Sequence, residues 1–341
     1  MSESGPSLDE WRNLYDAAIR FKELAPWSWM QETDIFGVQN PEMDVLGFVS
    51  VMGALGEHYA LALYLGTHGL YGFWGMHDAG PNLQPEQMLE VPELQASFED
   101  RAFLRDRDRE VIKKLGLKFR GQQAWPTFRS YRPGFAPWFL EAHEARFLTH
   151  ALEQTLDVAP RFRENRQLLD PFNGEHYLVR VPSRQDGVLS WQDQIVPVPP
   201  PEPIRILIQR DEQVMAALKR LKPVRLTIQV DLFMMPITIG ERGVRPYFPY
   251  MLLVVDTEGG HILGSDLLGP EPSLNDMLAG VPGKLAQRLA QIGVRPSVVD
   301  VRTDRLRQLL APMANELGIQ LEQSHVLPAL DEAKTFLLQR F

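Results

Sequence analysis

The chain has 341 residues, 44% hydrophobic and 23% charged, which is typical of folded proteins and long enough for two domains. Its formal net charge of −9 argues against a general nucleic-acid-coating protein, because phosphate contacts need a basic surface. The absence of cysteine excludes disulfides, thiolate catalysis and cysteine-ligated zinc or iron–sulfur sites.

The start of the chain and its apolar runs bear on where the protein resides. Met1–Pro6 is polar and acidic, unlike the basic and then apolar start of a secretory signal. The longest apolar stretches, such as Tyr59–Leu65 and Met251–Val255, are too short to cross a bilayer. We therefore expect a cytoplasmic protein with no membrane partner.

The net negative charge lies in the N-terminal part of the chain. Residues 202–341 contain 16 Lys and Arg against 16 Asp and Glu, whereas residues 1–201 contain 19 against 28. An acidic N-terminal part favours a protein partner at that end. Nucleic acid stays open as a partner, although the charge does not support it.

The first predicted elements are a helix and a hairpin. Ser7 and Glu10 have the spacing of a capping box, and apolar residues then recur at helical spacing until Pro26. Two apolar runs, Val45–Met52 and His58–Leu65, are separated by a short glycine-containing segment and predict a β-hairpin.

Further elements complete an α+β domain whose topology the pattern leaves open. Gly66–Gly75 is glycine-rich and predicts the start of a short helix. Arg101–Leu115 predicts a charged helix, and Pro137–Leu156 predicts another with proline in its first turn. Tyr177–Val181 and Val188–Trp191 predict a second hairpin.

A proline-rich segment gives the clearest boundary. Four prolines occupy the five positions 197–201, which favours an extended linker and excludes a helix or a central strand. We therefore expect an α+β domain over 1–195, a linker over 196–203 and a second domain over 204–341.

The C-terminal part has a regular order of elements. Its first strand places Leu226, Ile228, Val230 and Leu232 on one face. The predicted strands are Val224–Ile239, Tyr247–Asp256, His261–Leu268, Ser297–Val301 and Ile319–Glu322. The predicted helices are Leu274–Ile292, Arg305–Leu317 and Ala329–Leu338. The order is therefore βββαβαβα.

That order is the layout of the RNase H-like fold, in which three antiparallel strands precede alternating helices and parallel strands. Two passages, Arg245–Gly264 and Leu317–Ile319, also resemble the catalytic core of integrases and transposases. The resemblance spans roughly residues 222–341. It implies an α/β RNase H-like domain with a mixed five-stranded sheet.

The same resemblance implies a metal site. In that family, acids on the first strand, at the end of the fourth strand and on the last helix bind two divalent metals. The matching residues here are Asp231, Asp300 and Glu332, with Asp331 as a competing acid. Mg²⁺ and Mn²⁺ prefer such oxygen ligands, and a metal pair can activate water for phosphodiester chemistry. A metal-dependent nuclease or phosphodiester transferase is therefore one expected function.

Other features favour a non-catalytic scaffold or interaction protein slightly more. After the second acid the family has a small residue and glycine, whereas this chain has Val301 and Arg302. The domain is neutral, and no helix-turn-helix or zinc module accompanies it. Asp300 and Asp331 also suit ordinary roles, because Asp often ends strands and offsets the dipole at a helix start.

Weaker patterns favour structural roles. Glu141–Glu144 contains one His and lacks the paired His of a zinc protease. The basic run Arg101–Arg120 precedes aromatic residues, as in single-strand binders, but acids interleaved in it favour a salt-bridged helix. Walker A, Gly-x-Gly-x-x-Gly and Gly-x-Ser-x-Gly motifs are absent from the sequence.

A second resemblance rests on four passages that are spread along most of the chain: Trp27–Val38, Leu115–Gly121, Pro133–Trp138 and Pro246–Gly264. In these passages the chain resembles a group of uncharacterised bacterial two-domain proteins. The resemblance implies a bacterial, intracellular protein and brings no activity with it.

Overall fold

The computed structural model describes residues 5–83, 85–169, 176–202 and 205–339. The chain divides into two units. The first comprises Met1–Pro133 and Pro137–Glu202, and the second comprises Gly134–Ala136 and Pro203–Phe341. Within the described residues the protein is mixed α/β, with one sheet of seven strands and one of five. The sequence had not indicated a seven-stranded sheet.

The first unit contains helices and strands in this chain order: α1 (Leu8–Leu24), β1 (Phe36–Gln39), β2 (Leu46–Met52), β3 (Ala60–Leu65), α2 (Gly66–Ala79), α3 (Pro85–Leu89), β4 (Glu93–Glu99), α4 (Asp106–Lys114), β5 (Trp125–Tyr131), α5 (Ala142–Glu164), β6 (His176–Gln185) and β7 (Val188–Pro197). The sheet order is β5-β4-β3-β2-β1-β6-β7. Neighbouring strands are antiparallel except β1 and β6, which are parallel.

Helices cover both faces of this sheet. On one face, α1 and α5 contribute Leu14, Phe21 and Leu148 to the large core that also contains strand residues such as Leu63. On the other face, Phe73 of α2 packs in a smaller cluster with Phe48 and Tyr64. Burial of these apolar stripes supplies the main stabilisation of the unit.

Several predicted elements of the first unit are confirmed. Ser7 caps α1, because its Oγ accepts from the Glu10 N–H at 3.2 Å and the Glu10 carboxylate accepts from the Ser7 N–H at 2.7 Å. The two predicted hairpins are the antiparallel pairs β2–β3 and β6–β7. The predicted glycine-rich helix is α2.

Two helix predictions were wrong in their bounds. The expected helix Pro137–Leu156 begins only at Ala142, because the Trp138 backbone forms a bridge with Ser130 on β5. It then continues to Glu164. The expected helix Arg101–Leu115 is a 3₁₀ turn followed by α4, which starts where the Asp108 carboxylate accepts from the Arg105 N–H at 3.0 Å.

The second unit contains these elements in chain order: α6 (Glu212–Arg220), β8 (Val224–Met234), β9 (Tyr250–Asp256), β10 (Ile262–Leu268), α7 (Leu274–Ile292), β11 (Pro296–Val301), α8 (Asp304–Leu317), β12 (Gln320–Gln323) and α9 (Pro328–Leu338). The sheet order is β10-β9-β8-β11-β12. β9 is antiparallel to β8 and β10, whereas β11 is parallel to β8 and β12.

Different helices cover the two faces of the second sheet. Ile228 and Val254 lie in a cluster with Leu285 of α7 and Leu310 of α8. Leu253 and Val255 point the other way and pack with Leu330 of α9. Period-two alternation along β8 and β9 produces this division.

The first two strands of this unit are shorter than the sequence predicted. The expected strand Val224–Ile239 ends at Met234, two residues before Pro236. The expected strand Tyr247–Asp256 begins only at Tyr250, after Pro249. Proline has no N–H to donate to a ladder, so both interruptions follow from the prolines.

The structure also bears on the expectation that the protein has no membrane partner. Within the part of the chain that is described, each helix is too short or too polar to cross a bilayer.

Candidate functional site

The predicted acids come from elements that meet on one face of the second sheet. Asp300 on β11 lies in register with Gln229 on β8. Gln229 and Asp231 are two residues apart on the same strand, so they share that face. The Gln229 Oε1 accepts from the Leu330 N–H of α9 at 3.0 Å. This contact holds the start of α9, with Asp331 and Glu332, over the same face.

Arg302 lies between two of these carboxylates. It follows β11 directly, and its Nε donates to Asp231 Oδ2 at 2.9 Å. Its Nη2 donates to Asp331 Oδ1, and its Nη1 donates to the His325 carbonyl oxygen at 2.6 Å. A guanidinium with three nitrogens engaged in this way is held in one orientation.

Asp231 is almost completely buried, with 2% of its surface exposed. Its Oδ1 accepts from the Leu232 N–H at 3.0 Å, and its Oδ2 accepts from Arg302. Both oxygens are therefore used by donors of the chain itself. A buried carboxylate needs such compensation, because burial without it is strongly unfavourable.

Asp300 and Glu332 do not join this arrangement. The Asp300 Oδ1 is buried without a hydrogen-bond partner. Burial, and then the charge of Glu322, raise the pKa of Asp300 above its ordinary value. Glu332 is exposed, so Asp331 is the acid of α9 that reaches Arg302.

A divalent metal takes several oxygen ligands around one point. Among the described residues, the group whose ligand atoms lie within 4.8 Å of one another is Glu141, His143 and Glu144. It includes neither Asp231 nor Asp300. Arg302 also holds one Asp231 oxygen, which a metal would otherwise use. The assignment of the acids as metal ligands stays a prediction.

The Glu141–Glu144 group is explained by the start of α5. The Glu144 Oε2 accepts from the Glu141 N–H at 2.9 Å, which caps the helix. The Glu144 Oε1 accepts from Ser130 Oγ at 2.8 Å, and Arg132 pairs with both carboxylates. Arg132 offsets one of the two negative charges, and these contacts serve the fold.

Asp256 also has a structural role, at the turn between β9 and β10. Its carboxylate accepts from the Gly259 N–H, from the His261 N–H at 3.3 Å and from His261 Nδ1 at 3.1 Å. The Gly259 contact is the main reason that the pKa of Asp256 lies below its ordinary value.

The basic run of the first unit is not arranged as a stacking surface for bases. Phe119 and Trp125 are partly buried against the large core. Arg105 and Arg107 lie over the ring of Phe139, at 5.7 and 4.7 Å from its centroid. These residues therefore stabilise the unit itself.

Sequence reasoning missed the part played by Arg302. The signal was a basic residue at the position where the integrase-like resemblance expects glycine. Sequence reasoning also missed a cavity beside α7. The sequence signal for this cavity was the Pro282-Gly283 pair inside a helical pattern.

Family-model comparisons match the chain in two parts. Residues 11–180 match a domain of unknown function, DUF7309. Residues 214–338 match a second domain of unknown function, DUF6930. A comparison with curated proteins gave no match. The chain is therefore similar to two separate domains, one in each half.

Proposed function

We propose that the second unit is an RNase H-like domain that serves as a non-catalytic scaffold for protein interactions. Its element order βββαβαβα, after an extra helix α6, supports the fold assignment. So does the sheet order, with three antiparallel strands joined to two parallel ones. The acidic N-terminal half supplies the surface for a partner, which we expect to be basic.

The contact of Arg302 with Asp231 and Asp331 carries the proposal. In the integrases and transposases that this domain resembles, metal cations balance the acids of this face. Here a permanently charged side chain of the protein pairs with two of them. A domain whose buried Asp231 is already neutralised needs no metal for folding.

The test is thermal unfolding with Mg²⁺ and Mn²⁺, for the wild type and for Arg302→Ala. We expect the wild-type Tm not to respond to either ion. If the metal site is functional, an ion at about 100 times its Kd would add about 2.7 kcal/mol to the free energy of unfolding. The Tm would then rise by several degrees. We expect Arg302→Ala to lose about 3–5 kcal/mol, because it leaves Asp231 buried and unpaired.

The matched control is Arg307→Ala on α8. Arg307 pairs with Asp304 at 2.7 Å, but both side chains are about half exposed. An exposed pair contributes about 0–1 kcal/mol, so this variant should resemble the wild type. An equal loss in both variants would refute a special role for Arg302.

The alternative function is a metal-dependent nuclease or phosphodiester transferase that uses Asp231, Asp300 and Glu332. The unpartnered, buried Asp300 Oδ1 favours it, because a metal would satisfy that oxygen. This alternative expects Mn²⁺ to raise the wild-type Tm and Asp300→Asn to remove the rise. It also expects phosphodiester cleavage that Asp231→Asn abolishes, whereas the scaffold expects Asp231→Asn only to destabilise the fold.

A further inference from the structure

A mostly apolar cavity of about 280 Å³ lies in the second unit, and its lining does not include Arg302. One wall is the segment 206–210, named here the strap, with Ile206 and Ile208. The other walls include Met215 of α6, Gly283 of α7 and Met313 of α8. Its volume is close to the lower limit of about 300 Å³ for small-molecule sites.

The sequence keeps residues at this cavity that weaken the helices around it. Gly283 lies inside α7, where glycine is about 1 kcal/mol less favourable than alanine. A Cβ at Gly283 would meet its nearest neighbour, the Gln209 carbonyl oxygen, at 3.6 Å, which is ordinary contact. Pro282 and Pro312 also line the cavity from inside helices. Helix stability therefore does not explain why a glycine and two prolines line this cavity.

Arg210 and Glu316 at the rim are already paired, and Asp211 caps α6 by accepting from the Gln213 and Val214 N–H groups. Arg210 pairs with Glu316 at 2.7 Å and with Glu212 at 2.8 Å. Lys219 pairs with the same Glu316 carboxylate at 2.8 Å. An anionic ligand would have to break these pairs, so the site favours a neutral one.

The strap is fixed to α7 at one point and exposed at another. The Gln209 N–H donates to the Ala279 carbonyl oxygen at 2.9 Å, which fixes the strap against α7. Leu207, which also lines the cavity, is 86% exposed. The methionines on the opposite wall have flexible side chains that adapt to the shape of a guest.

We propose that this cavity binds a small uncharged apolar molecule, with a single aromatic ring or a short alkyl chain. The proposal does not depend on the function of Asp231 or Arg302, because no lining residue belongs to their cluster.

The first test uses the full-length wild type with ¹³C-methyl methionine. Indole and 1-hexanol are the neutral probes, and hexanoate is the anionic match of hexanol. We expect both neutral probes to shift the Met215 and Met313 signals in a saturable way, with hexanoate weaker by about tenfold or more. Unshifted signals at the solubility limit of the probes, or equal binding of hexanoate, would overturn the proposal.

The second test fills the cavity from α7. We expect Gly283→Leu to weaken hexanol binding by about tenfold or more, because the added carbons occupy the space of the ligand. Gly280→Leu is the control, since Gly280 lies on the same helix but does not line the cavity. Ala286→Leu fills the cavity from one turn further along. A folded Gly283→Leu or Ala286→Leu variant that binds hexanol with wild-type affinity would refute the site. If neither variant folds, the methionine signals of the wild type decide whether the cavity binds the probes.

Discussion

Glu93 is a buried acid of the first unit whose ionisation opposes folding. It lies on β4 with 9% of its surface exposed, between Tyr64 and Tyr131 on the neighbouring strands. Gln95 Nε2 donates to its Oε1 at 3.1 Å. Burial raises the pKa of Glu93 to about 8, while the Gln95 hydrogen bond opposes the shift. The folded protein therefore holds a proton here at neutral pH.

We expect the stability of the protein to fall as pH rises from about 4.3, the ordinary pKa of Glu, to about 8. In that window the unfolded chain releases the proton that the folded chain keeps, so the slope is negative. The loss is at most about 5 kcal/mol, at about 1.4 kcal/mol for each pH unit. The measurement is the free energy of unfolding in urea at several pH values.

Glu93→Gln should remove most of this slope and be more stable than the wild type at pH 8. Glu99→Gln is the control, because Glu99 lies on the same strand and receives the same change. We expect that variant to keep the wild-type slope. A Glu93→Gln protein with an unchanged slope would contradict the assignment.

At the residue scale, the sequence indicated individual acids but not their neighbours. Asp231 was singled out because a carboxylate inside an apolar strand needs a reason, and it is buried with a cation beside it. Its partner Arg302 could not be assigned from the sequence. That contact depends on which face of β11 the side chain takes and on where α9 lies.

At the scale of elements, prediction succeeded where capping residues mark both ends. The predicted bounds Leu274–Ile292 are those of α7, since Ser273 caps its start and Gly293 ends it at φ 68°. The start of α5 was missed because Pro137 also suits a helix start. A tertiary bridge from Trp138 to β5 decided otherwise, and no local pattern encodes it.

Two glycines of the second unit should respond in opposite ways to alanine. A Cβ at Gly280 in α7 would meet only Gln209 Oε1 at 3.9 Å. Gly280→Ala should therefore stabilise the protein by about 0.5–1 kcal/mol. A Cβ at the buried Gly264 of β10 would lie 2.7 Å from carbons of Arg288, so Gly264→Ala should destabilise it. Urea unfolding of both variants checks this, and the same sign in both would contradict it.

At the scale of the whole molecule, long-range pairing escaped the sequence. The seven-stranded sheet depends on the parallel pair of β1 with β6, which joins Gly37 to Val179. Nothing local in either strand specifies that partner. The second unit also has one long-range pair, β8 with β11, whereas its other three pairs join strands that are consecutive in the chain.

The expected linker over 196–203 overlaps ordered structure at its start. β7 continues to Pro197, and Val198 is buried with its carbonyl oxygen accepting from Tyr71 Oη at 2.9 Å. Arg205 is exposed. We therefore expect limited trypsin digestion to cut after Arg205, which mass spectrometry of the fragments would detect.

A fragment of residues 205–341 should fold alone but be less stable than the second unit in the full chain. That unit also includes Gly134–Ala136, and the fragment loses two of its hydrogen bonds. They run from the Ala136 N–H to the Pro246 oxygen at 2.9 Å and from the Phe248 N–H to the Gly134 oxygen at 3.0 Å. Each is worth about 0.5–1.5 kcal/mol, so the loss should be about 1–3 kcal/mol in urea unfolding. Ala136→Pro in the full chain removes the first donor and should reproduce part of the loss. An insoluble or uncooperative fragment would show that the second unit does not fold by itself.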